Sequence, residues 1–238
     1  MIDIHTHLLP CVDDGSPDME TSIELIKNEI KQGVTDIFVT PHYFKHRGYL
    51  SPVEKNVKIF YKLLEEVNNQ NLKVNLYLGT EIYYNRYTIR DLEAGLTKTL
   101  GDSLYVLIEF SLYEEAEDIP EAINNLTAKG YIPIIAHPER YPYLIDMKYY
   151  TYLRRMGAKV QINASALIGD YGKKVKKFVL KLIKNNLVDF VASDIHNFRM
   201  SNLKKAYEVV ETSFSKGKAE ELFNNKTIFN WNYIVLSQ

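Results

Sequence analysis

Histidine and carboxylate residues stand directly after short apolar runs at several points in the sequence. They are His5 with His7, His42, Glu81, Glu109, His137, and Asp194 with His196, while Asp14 follows the first pair closely. In His-x-His and Asp-x-His both side chains point to one face of a strand, because strand side chains alternate with a period of two. Two such groups can therefore reach the same ion.

Each of these residues taken alone has a more ordinary explanation. A single His after a strand is usually a loop residue, and a single Glu is usually an ion-pair partner. Six strand ends that all carry a His or a carboxylate are hard to explain independently, so we interpret the set as a metal site. Imidazole and carboxylate ligands without thiolate favour Mn²⁺, Fe²⁺ or Zn²⁺ over Ca²⁺ or copper. The ligands are too many for one ion, and a bridging carboxylate would explain the surplus.

Seven short apolar runs supply the elements that would position these residues. They cover residues 1–4, 36–40, 74–78, 105–110, 132–136, 159–162 and 188–192. Several are continuously apolar and β-branched, as strands buried on both faces are. Strand followed by helix, repeated along the chain, predicts a parallel sheet with helices outside. We expect an α/β barrel, whose strand ends meet on one face, with an open doubly wound sheet as the alternative.

Capping and stop residues predict the helices between these runs. Ser16-Pro17 should open the first helix and Gly33 should end it, and Ser51-Pro52 should open the second as part of a capping box. Further helices are predicted after Asp118, ending at Gly130, and near residues 148–156, 172–185, 203–214 and 218–224.

The composition restricts the class of protein. The 238 residues fit a single domain, residues 1–238, and 46% hydrophobic with 25% charged residues is ordinary for a globular protein. The formal net charge of -1 favours neither nucleic acid nor an anionic membrane as a partner. Asp3, His5 and His7 interrupt any signal peptide, and no apolar run approaches the roughly 20 residues of a membrane span. We therefore expect a soluble, cytoplasmic protein without stable membrane insertion.

Other hydrolytic mechanisms lack their residues. Cys11 is the only cysteine, which excludes an internal disulfide and a multi-cysteine metal site. A cysteine-based tyrosine phosphatase needs Cys-x5-Arg, but Pro17 occupies the arginine position. The sequence also has no G-x-S-x-G elbow, Walker A loop or G-x-G-x-x-G fingerprint.

Taken in order, the motifs resemble the PHP (polymerase and histidinol phosphatase) superfamily. They are M-I-D-I-H-T-H with V-D-D-G, T-P-H, G-T-E-I-Y-Y, L-I-E-F-S, A-H-P-E-R-Y and A-S-D-I-H-N, and they run through nearly the whole chain. The match is most similar to the bacterial manganese-dependent protein-tyrosine phosphatases that regulate capsule and exopolysaccharide synthesis. Asp14 and Glu109 stand where many other members of the superfamily have histidines, which favours this branch.

The resemblance implies a distorted (β/α)7 barrel of the TIM type that carries three divalent ions, usually Mn²⁺, with Fe²⁺ or Zn²⁺ as alternatives. Carried over by motif, the first ion would bind His5, His7 and Asp194. Glu81 would bridge it to a second ion held by Glu109 and His137. The third would bind Asp14, His42 and His196.

The same resemblance implies the outline of a mechanism. A water that bridges two metals would lose its proton near neutral pH and attack the phosphorus. Arg140 matches an arginine that contacts the phosphate, and Asp13 or a metal-bound water could act as the general acid. Lys45, Arg47 and Arg199 are candidate substrate contacts, with a solvated basic loop as the alternative for the first two.

The leading functional hypothesis is a phosphatase acting on the tyrosine-rich tail of a bacterial tyrosine autokinase in polysaccharide export. A second hypothesis keeps the metals but takes histidinol phosphate or another small phosphomonoester. Phosphodiester hydrolysis on nucleic acid is disfavoured by the absence of a basic stripe. From another class, a non-catalytic binding protein with a vestigial metal site is disfavoured by the intact ligand set.

Overall fold

The structure is a computed structural model that describes residues 1–49, 52–113, 116, 118–197 and 200–229. Within these residues the strand segments are Ile2–Thr6 (β1), Asp36–Val39 (β2), His42–Tyr43 (β3), Asn75–Leu78 (β4), Glu81–Tyr83 (β5), Tyr105–Glu109 (β6), Ile132–Ala136 (β7), Lys159–Asn163 (β8) and Phe190–Ala192 (β9). Every predicted apolar run coincides with one of them.

The strands form a distorted barrel in which all named neighbours are parallel. One sheet has the order β1-β2-β4 and the other β3-β5-β6-β7-β8-β9. A parallel bridge between Thr6 and Ile195 closes the ring, and His7 N–H donates to the Ile195 carbonyl at 3.0 Å. The predicted α/β barrel is confirmed.

Two of the seven strands are interrupted, which the sequence pattern did not predict. β2 continues as β3 after Pro41, and β4 continues as β5 after Gly79 and Thr80. Proline has no N–H to give to a strand ladder. At Gly79 an added Cβ would lie 2.6 Å from the Leu100 side chain, so only glycine fits. The breaks change the direction of the chain before the segments that carry His42 and Glu81.

The first seven α-helices lie between strands, and the last two follow β9. Within the described residues the α-helices are Met19–Gln32 (α1), Val53–Asn69 (α2), Thr88–Glu93 (α3), Ile119–Ala128 (α4), Met147–Arg155 (α5), Ala164–Ile168 (α6), Lys173–Lys184 (α7), Leu203–Ser213 (α8) and Lys216–Phe223 (α9). Gly33 ends α1 with φ 91°, as predicted, but the N-cap is Asp18, whose side chain accepts from Thr21 N–H at 2.8 Å. Ser51 lies outside the described residues. None of the described helices is both long and apolar enough to cross a membrane.

Buried apolar side chains form two clusters on opposite faces of the strands. On β6, Val106 and Ile108 join the larger cluster, which packs the strands against the helices. Tyr105 and Leu107 join the smaller one with Phe38 of β2. Alternation therefore turns Glu109, the last residue of β6, toward the same side as Tyr105 and Leu107.

Candidate metal centre

The nine candidate ligands converge at the carboxyl ends of the strands. They lie on or just after β1 (His5, His7, Asp14), on β3 (His42), on β5 (Glu81), at the end of β6 (Glu109), after β7 (His137) and after β9 (Asp194, His196). Seven of them have ligand atoms that fall into overlapping groups within 4.8 Å of one another: His5, His7 and Glu81; His42, Glu81 and Glu109; and His7, Asp14, His42 and His196. Seven of the nine are buried, and Asp14 and His42 are half-buried.

The first group brings lone pairs of two imidazole nitrogens and one carboxylate oxygen close together. His5 Nδ1 donates to Gln161 Oε1 at 3.0 Å, and His7 Nδ1 donates to the Asp13 carboxylate at 2.8 Å. Both Nε2 atoms therefore carry lone pairs, and they face each other at 3.2 Å. Glu81 Oε2 lies 3.1 and 3.2 Å from the same two nitrogens. Such an arrangement is repulsive between neutral imidazoles and becomes attractive around a cation.

The second group shows the same feature. His42 Nδ1 lies 3.0 Å from Glu81 Oε2 and 3.2 Å from Glu109 Oε1. These three atoms are buried, yet none makes a hydrogen bond within the described residues. Buried polar groups are normally hydrogen-bonded, so close atoms that are misaligned for hydrogen bonds fit ligation of a metal ion.

The third group lies nearer the surface. Asp14 Oδ1 is 3.5 Å from His42 Nε2 and 3.6 Å from His196 Nε2. His196 Nδ1 lies 3.0 Å from the Asp194 carbonyl, so it donates there and leaves Nε2 free of its proton. This set is the Asp14, His42 and His196 combination expected from the motifs, with His7 added.

His137 contacts Glu81 but lies outside the three groups. Its Nε2 is 2.9 Å from Glu81 Oε1, on the opposite oxygen from the one facing His5 and His7. The group around Glu109 contains His42 rather than His137. Both His137 (φ 33°) and Asp194 (φ 53°) have left-handed backbone, which strains a non-glycine residue and is common at functional sites.

Residues behind the ligands fix their orientation. Asp13 accepts from His7 Nδ1, from His42 N–H at 2.9 Å and from Gly15 N–H at 3.0 Å. Its side chain is fully shielded from solvent. Gly15 allows this turn, because an added Cβ would lie 2.1 Å from the His7 carbonyl oxygen. The expected acid role of Asp13 is not favoured by this placement, since its carboxylate supports ligands and does not line the cavity above them.

The sequence interpretation missed the contribution of β8. Gln161 accepts from His5 and donates to Asn163 Oδ1 at 2.9 Å. Asn163 Nδ2 in turn donates to Asp194 Oδ2 at 2.8 Å. The only signal was two amides, spaced by two, in an otherwise apolar run.

The charges of the site favour the binding of cations. Burial alone would raise the pKa of Glu81, but His5 and His42 hold it well below its usual value. Burial and His42 would lower the pKa of His7, yet Asp13 and Glu81 raise it to about 9. The carboxylates thus favour cations among them, and metal ions would compete with protons for the imidazoles.

A central cavity of 550 Å³ opens above these ligands. Arg140 lines it and donates to Asp194 Oδ2 at 3.1 Å. Phe44 and Tyr83 form one wall as a stacked pair, with ring centroids 3.8 Å apart and planes 8° apart. Arg47 lies over the Phe44 ring at 5.3 Å. The cavity therefore combines two arginines and several of the candidate ligands with an aromatic side.

The structure describes two of the three other candidate substrate contacts, Lys45 and Arg47. Lys45 does not line the cavity, because its Nζ binds the buried Asp91 at 2.7 Å and lies over the Tyr43 and Tyr87 rings. Arg199 lies outside the described residues. Of the three basic candidates beyond Arg140, only Arg47 is placed at the cavity.

The family model for capsular polysaccharide synthesis, CpsB/CapC, matches residues 1–230. The chain belongs to the CpsB/CapC family. It is 39% identical over 233 residues to the putative tyrosine-protein phosphatase CapC of Staphylococcus aureus, covering 92% of this chain and 90% of that protein. It is 35% identical over 243 residues to the tyrosine-protein phosphatase YwqE of Bacillus subtilis, covering 96% and 94%. The family resemblance drawn from the motifs is confirmed.

Solved structures agree with the sequence relatives. A structure from the study of YwqE from Bacillus subtilis and CpsB from Streptococcus pneumoniae, described as metal-dependent tyrosine phosphatases, matches with TM-score 0.88 and 32% identity, covering 96% of this chain and 93% of that one. The β-aspartyl dipeptidase of Fervidobacterium islandicum matches with TM-score 0.59 and 14% identity, covering 96% and 72%, which shows a likeness of fold alone.

Proposed function

We propose that this chain is a metal-dependent protein-tyrosine phosphatase whose substrate is a phosphotyrosine protein. The observation that carries the proposal is the convergence of overlapping groups of histidine and carboxylate side chains beneath a cavity that Arg140 and two stacked aromatic rings line. The relatives named as tyrosine-protein phosphatases support it. The family description names capsular polysaccharide synthesis. We propose that the substrate is the tyrosine-rich tail of a bacterial tyrosine autokinase in polysaccharide export.

The donor set fits three divalent ions, and Mn²⁺ suits its mixture of imidazole and carboxylate. His5, His7, Glu81 and Asp194 would hold the first. Glu81 and Glu109 would hold the second, with His137 or His42 as the nitrogen ligand, and Asp14, His42 and His196 would hold the third. Bound ions would lower the pKa of a coordinated water and neutralise charge on the phosphate.

The chain itself orients the substrate. Arg140 can hold two phosphate oxygens with its planar fork, and Asp194 keeps the guanidinium aimed into the cavity. Asp13 and Gln161 hold the His7 and His5 rings by their Nδ1 atoms. A tyrosine leaving group has a pKa of about 10, so its departure needs less proton donation than that of an aliphatic alcohol.

The aromatic side of the cavity favours an aryl phosphate. The Phe44–Tyr83 pair lines the cavity beside the ligands, and a phenyl ring that packs against it would gain about 0.5–1.5 kcal/mol beyond burial. Histidinol phosphate would bring a charged amine instead, and Arg47 at this wall would repel it.

The test is phosphate release by chelator-stripped protein after Mn²⁺ is added back, with a phosphotyrosine peptide and histidinol phosphate compared. We expect metal-restored turnover that strongly favours the peptide. Glu81→Gln is the matched control, because it keeps the shape of the side chain but removes the negative charge that the first two metal sites share. This variant should have no turnover. A preference for histidinol phosphate, or metal-independent turnover, would contradict the proposal.

A further inference from the structure

A second cavity, called here the lateral groove, lies beside the central cavity and shares Arg140 with it. Its volume is 780 Å³, against 550 Å³ for the central cavity. Leu144, Ile145, Val175 and Phe178 give it apolar walls. Ile145 is 74% exposed, although a large aliphatic side chain gains by burial. The groove therefore continues the substrate cavity along an apolar surface.

The helix that borders this groove is strongly basic. α7, Lys173–Lys184, contains six lysines and no acidic residue, although the whole chain has a formal net charge of -1. Five of these lysines fall on one side of the helix by their spacing, and we call them the lysine stripe: Lys173, Lys174, Lys177, Lys181 and Lys184. All five are exposed, and none makes an ion pair within the described part of the chain.

Lys174 links the two features. It lines the lateral groove, and the rest of the stripe runs along α7 away from it. Unpaired cations in a row raise the local potential and attract an anionic partner, more strongly at low salt. An apolar groove that leads to a row of lysines is complementary to a partner peptide in which an apolar side chain is followed by carboxylates.

We propose that the lateral groove and the lysine stripe bind the segment of the phosphoprotein substrate that flanks the phosphotyrosine. An apolar side chain near the phosphotyrosine enters the groove, and acidic residues beyond it lie along the stripe. This inference rests on the proposed function, because Arg140 joins the groove to the phosphate position. A peptide fits this continuity better than a flat membrane, which could reach the stripe but not the groove and the metal centre together.

The length of the segment follows from geometry. From Lys174 to Lys184 the helix rises about 15 Å at 1.5 Å per residue. An extended peptide covers about 3.3 Å per residue, so about five residues would span the stripe. The recognised substrate is thus an acidic stretch of about this length that begins a few residues from the phosphotyrosine.

The test uses the manganese-loaded full chain and matched phosphopeptides. Each peptide carries a phosphotyrosine, a leucine two residues away and then five glutamates or five glutamines, with the flank on the amino or on the carboxyl side. In one orientation we expect kcat/KM to be about tenfold higher for the glutamate peptide, the sum of several exposed charge pairs. The preference should disappear in 0.5 M salt.

Two triple variants separate the stripe from general charge. Lys177→Glu, Lys181→Glu and Lys184→Glu together should abolish the preference, while turnover of para-nitrophenyl phosphate, which has no flanking chain, stays unchanged. The matched control reverses three exposed lysines of α2, Lys55, Lys58 and Lys62, and should keep the preference.

Three outcomes would overturn the inference. Equal kcat/KM for glutamate and glutamine peptides in both orientations would overturn the docking surface but leave the proposed function standing. Binding to phosphatidylglycerol vesicles that the stripe variant loses, without any peptide preference, would assign the stripe to lipid instead. No metal-dependent turnover of para-nitrophenyl phosphate or of either peptide would overturn the proposed function and this inference with it.

Discussion

Replacement of Asp13 by asparagine should weaken metal binding without removing the catalytic capacity of the loaded enzyme. Three donors point at the two carboxylate oxygens of Asp13: His7 Nδ1 at 2.8 Å, His42 N–H at 2.9 Å and Gly15 N–H at 3.0 Å. An asparagine offers one oxygen and one NH₂ group in the same space. In either orientation at least one donor therefore faces another donor, and the negative charge is lost.

The magnitude follows from the contacts that change. A hydrogen bond to a charged group contributes about 1.5–3 kcal/mol, and the bond from His7 loses this charge. His7 can then rotate or take the other tautomer, which places a proton on the Nε2 atom that faces Glu81 and His5. Loss of such a supporting residue typically costs 10–100-fold in metal affinity, which is in the same range.

The measurement is a titration of chelator-stripped protein with Mn²⁺, in which free Mn²⁺ is followed by electron paramagnetic resonance. Phosphotyrosine turnover is then measured at saturating Mn²⁺. We expect apparent affinity to fall by about 10–100-fold while kcat at saturation stays within a few-fold. Asp170→Asn, at an exposed position, is the matched control and should change neither quantity.

The opposite pattern would refute this reasoning. Unchanged Mn²⁺ affinity with kcat reduced 100-fold or more, and a lost basic limb in the pH–rate profile, would identify Asp13 as the general acid. The sequence alone left that role open, and only the burial and partners of the side chain argue against it.

Three further predictions concern Arg140, Glu29 and Tyr141. Arg140→Lys keeps the charge but loses the bidentate fork, so kcat/KM for a phosphotyrosine peptide should fall about 10–100-fold with Mn²⁺ stoichiometry unchanged; unaltered kcat/KM would remove it from the site. Burial, reinforced by Asp3, raises the pKa of Glu29 well above 4.5, so the folded protein keeps a proton that the unfolded chain releases. The free energy of unfolding should therefore fall as pH rises above 4.5, by up to about 1.4 kcal/mol per pH unit, and Glu29→Gln but not the exposed Glu24→Gln should flatten that fall in urea titrations. Tyr141→Phe removes a buried hydroxyl that bonds backbone groups at the ends of β6 and β7, and should lower the free energy of unfolding by about 1–3 kcal/mol, whereas a loss below about 0.5 kcal/mol would contradict this role.

The strands and most ligand positions could be predicted because each depends on local pattern. β-branched apolar runs predict buried strands, and in a parallel barrel the residue after each strand must lie on one face. His5, His137 and Asp194 needed no more than this rule. The end of the first helix could also be predicted from local sequence, since Gly33 takes the left-handed conformation that stops a helix.

Features that depend on contacts distant in sequence could not be predicted. Lys45 follows His42 closely, but it binds Asp91, a residue 46 positions further along the chain. Gln161 and Asn163 are two amides in an otherwise apolar strand, and their role depends on His5 of β1 and on Asp194, which follows β9. A sequence pattern predicts which residue types lie at the site, whereas only the fold shows which side chains contact each other.

The grouping of ligands illustrates the same limit at the centre of the site. The family resemblance pairs Glu109 with His137, whereas in the structure His42 Nδ1 lies 3.2 Å from Glu109 and His42 Nε2 lies 3.5 Å from Asp14. His42 thus stands between two ligand groups, with one nitrogen toward each. A neutral imidazole that binds an ion through one nitrogen carries its proton on the other, so the rotation and tautomer of this single ring decide which group His42 joins. The hydrogen bond from the His42 backbone N–H to Asp13 fixes the backbone position from which this ring extends. The support behind the ligands therefore controls the metal centre as directly as the ligands themselves.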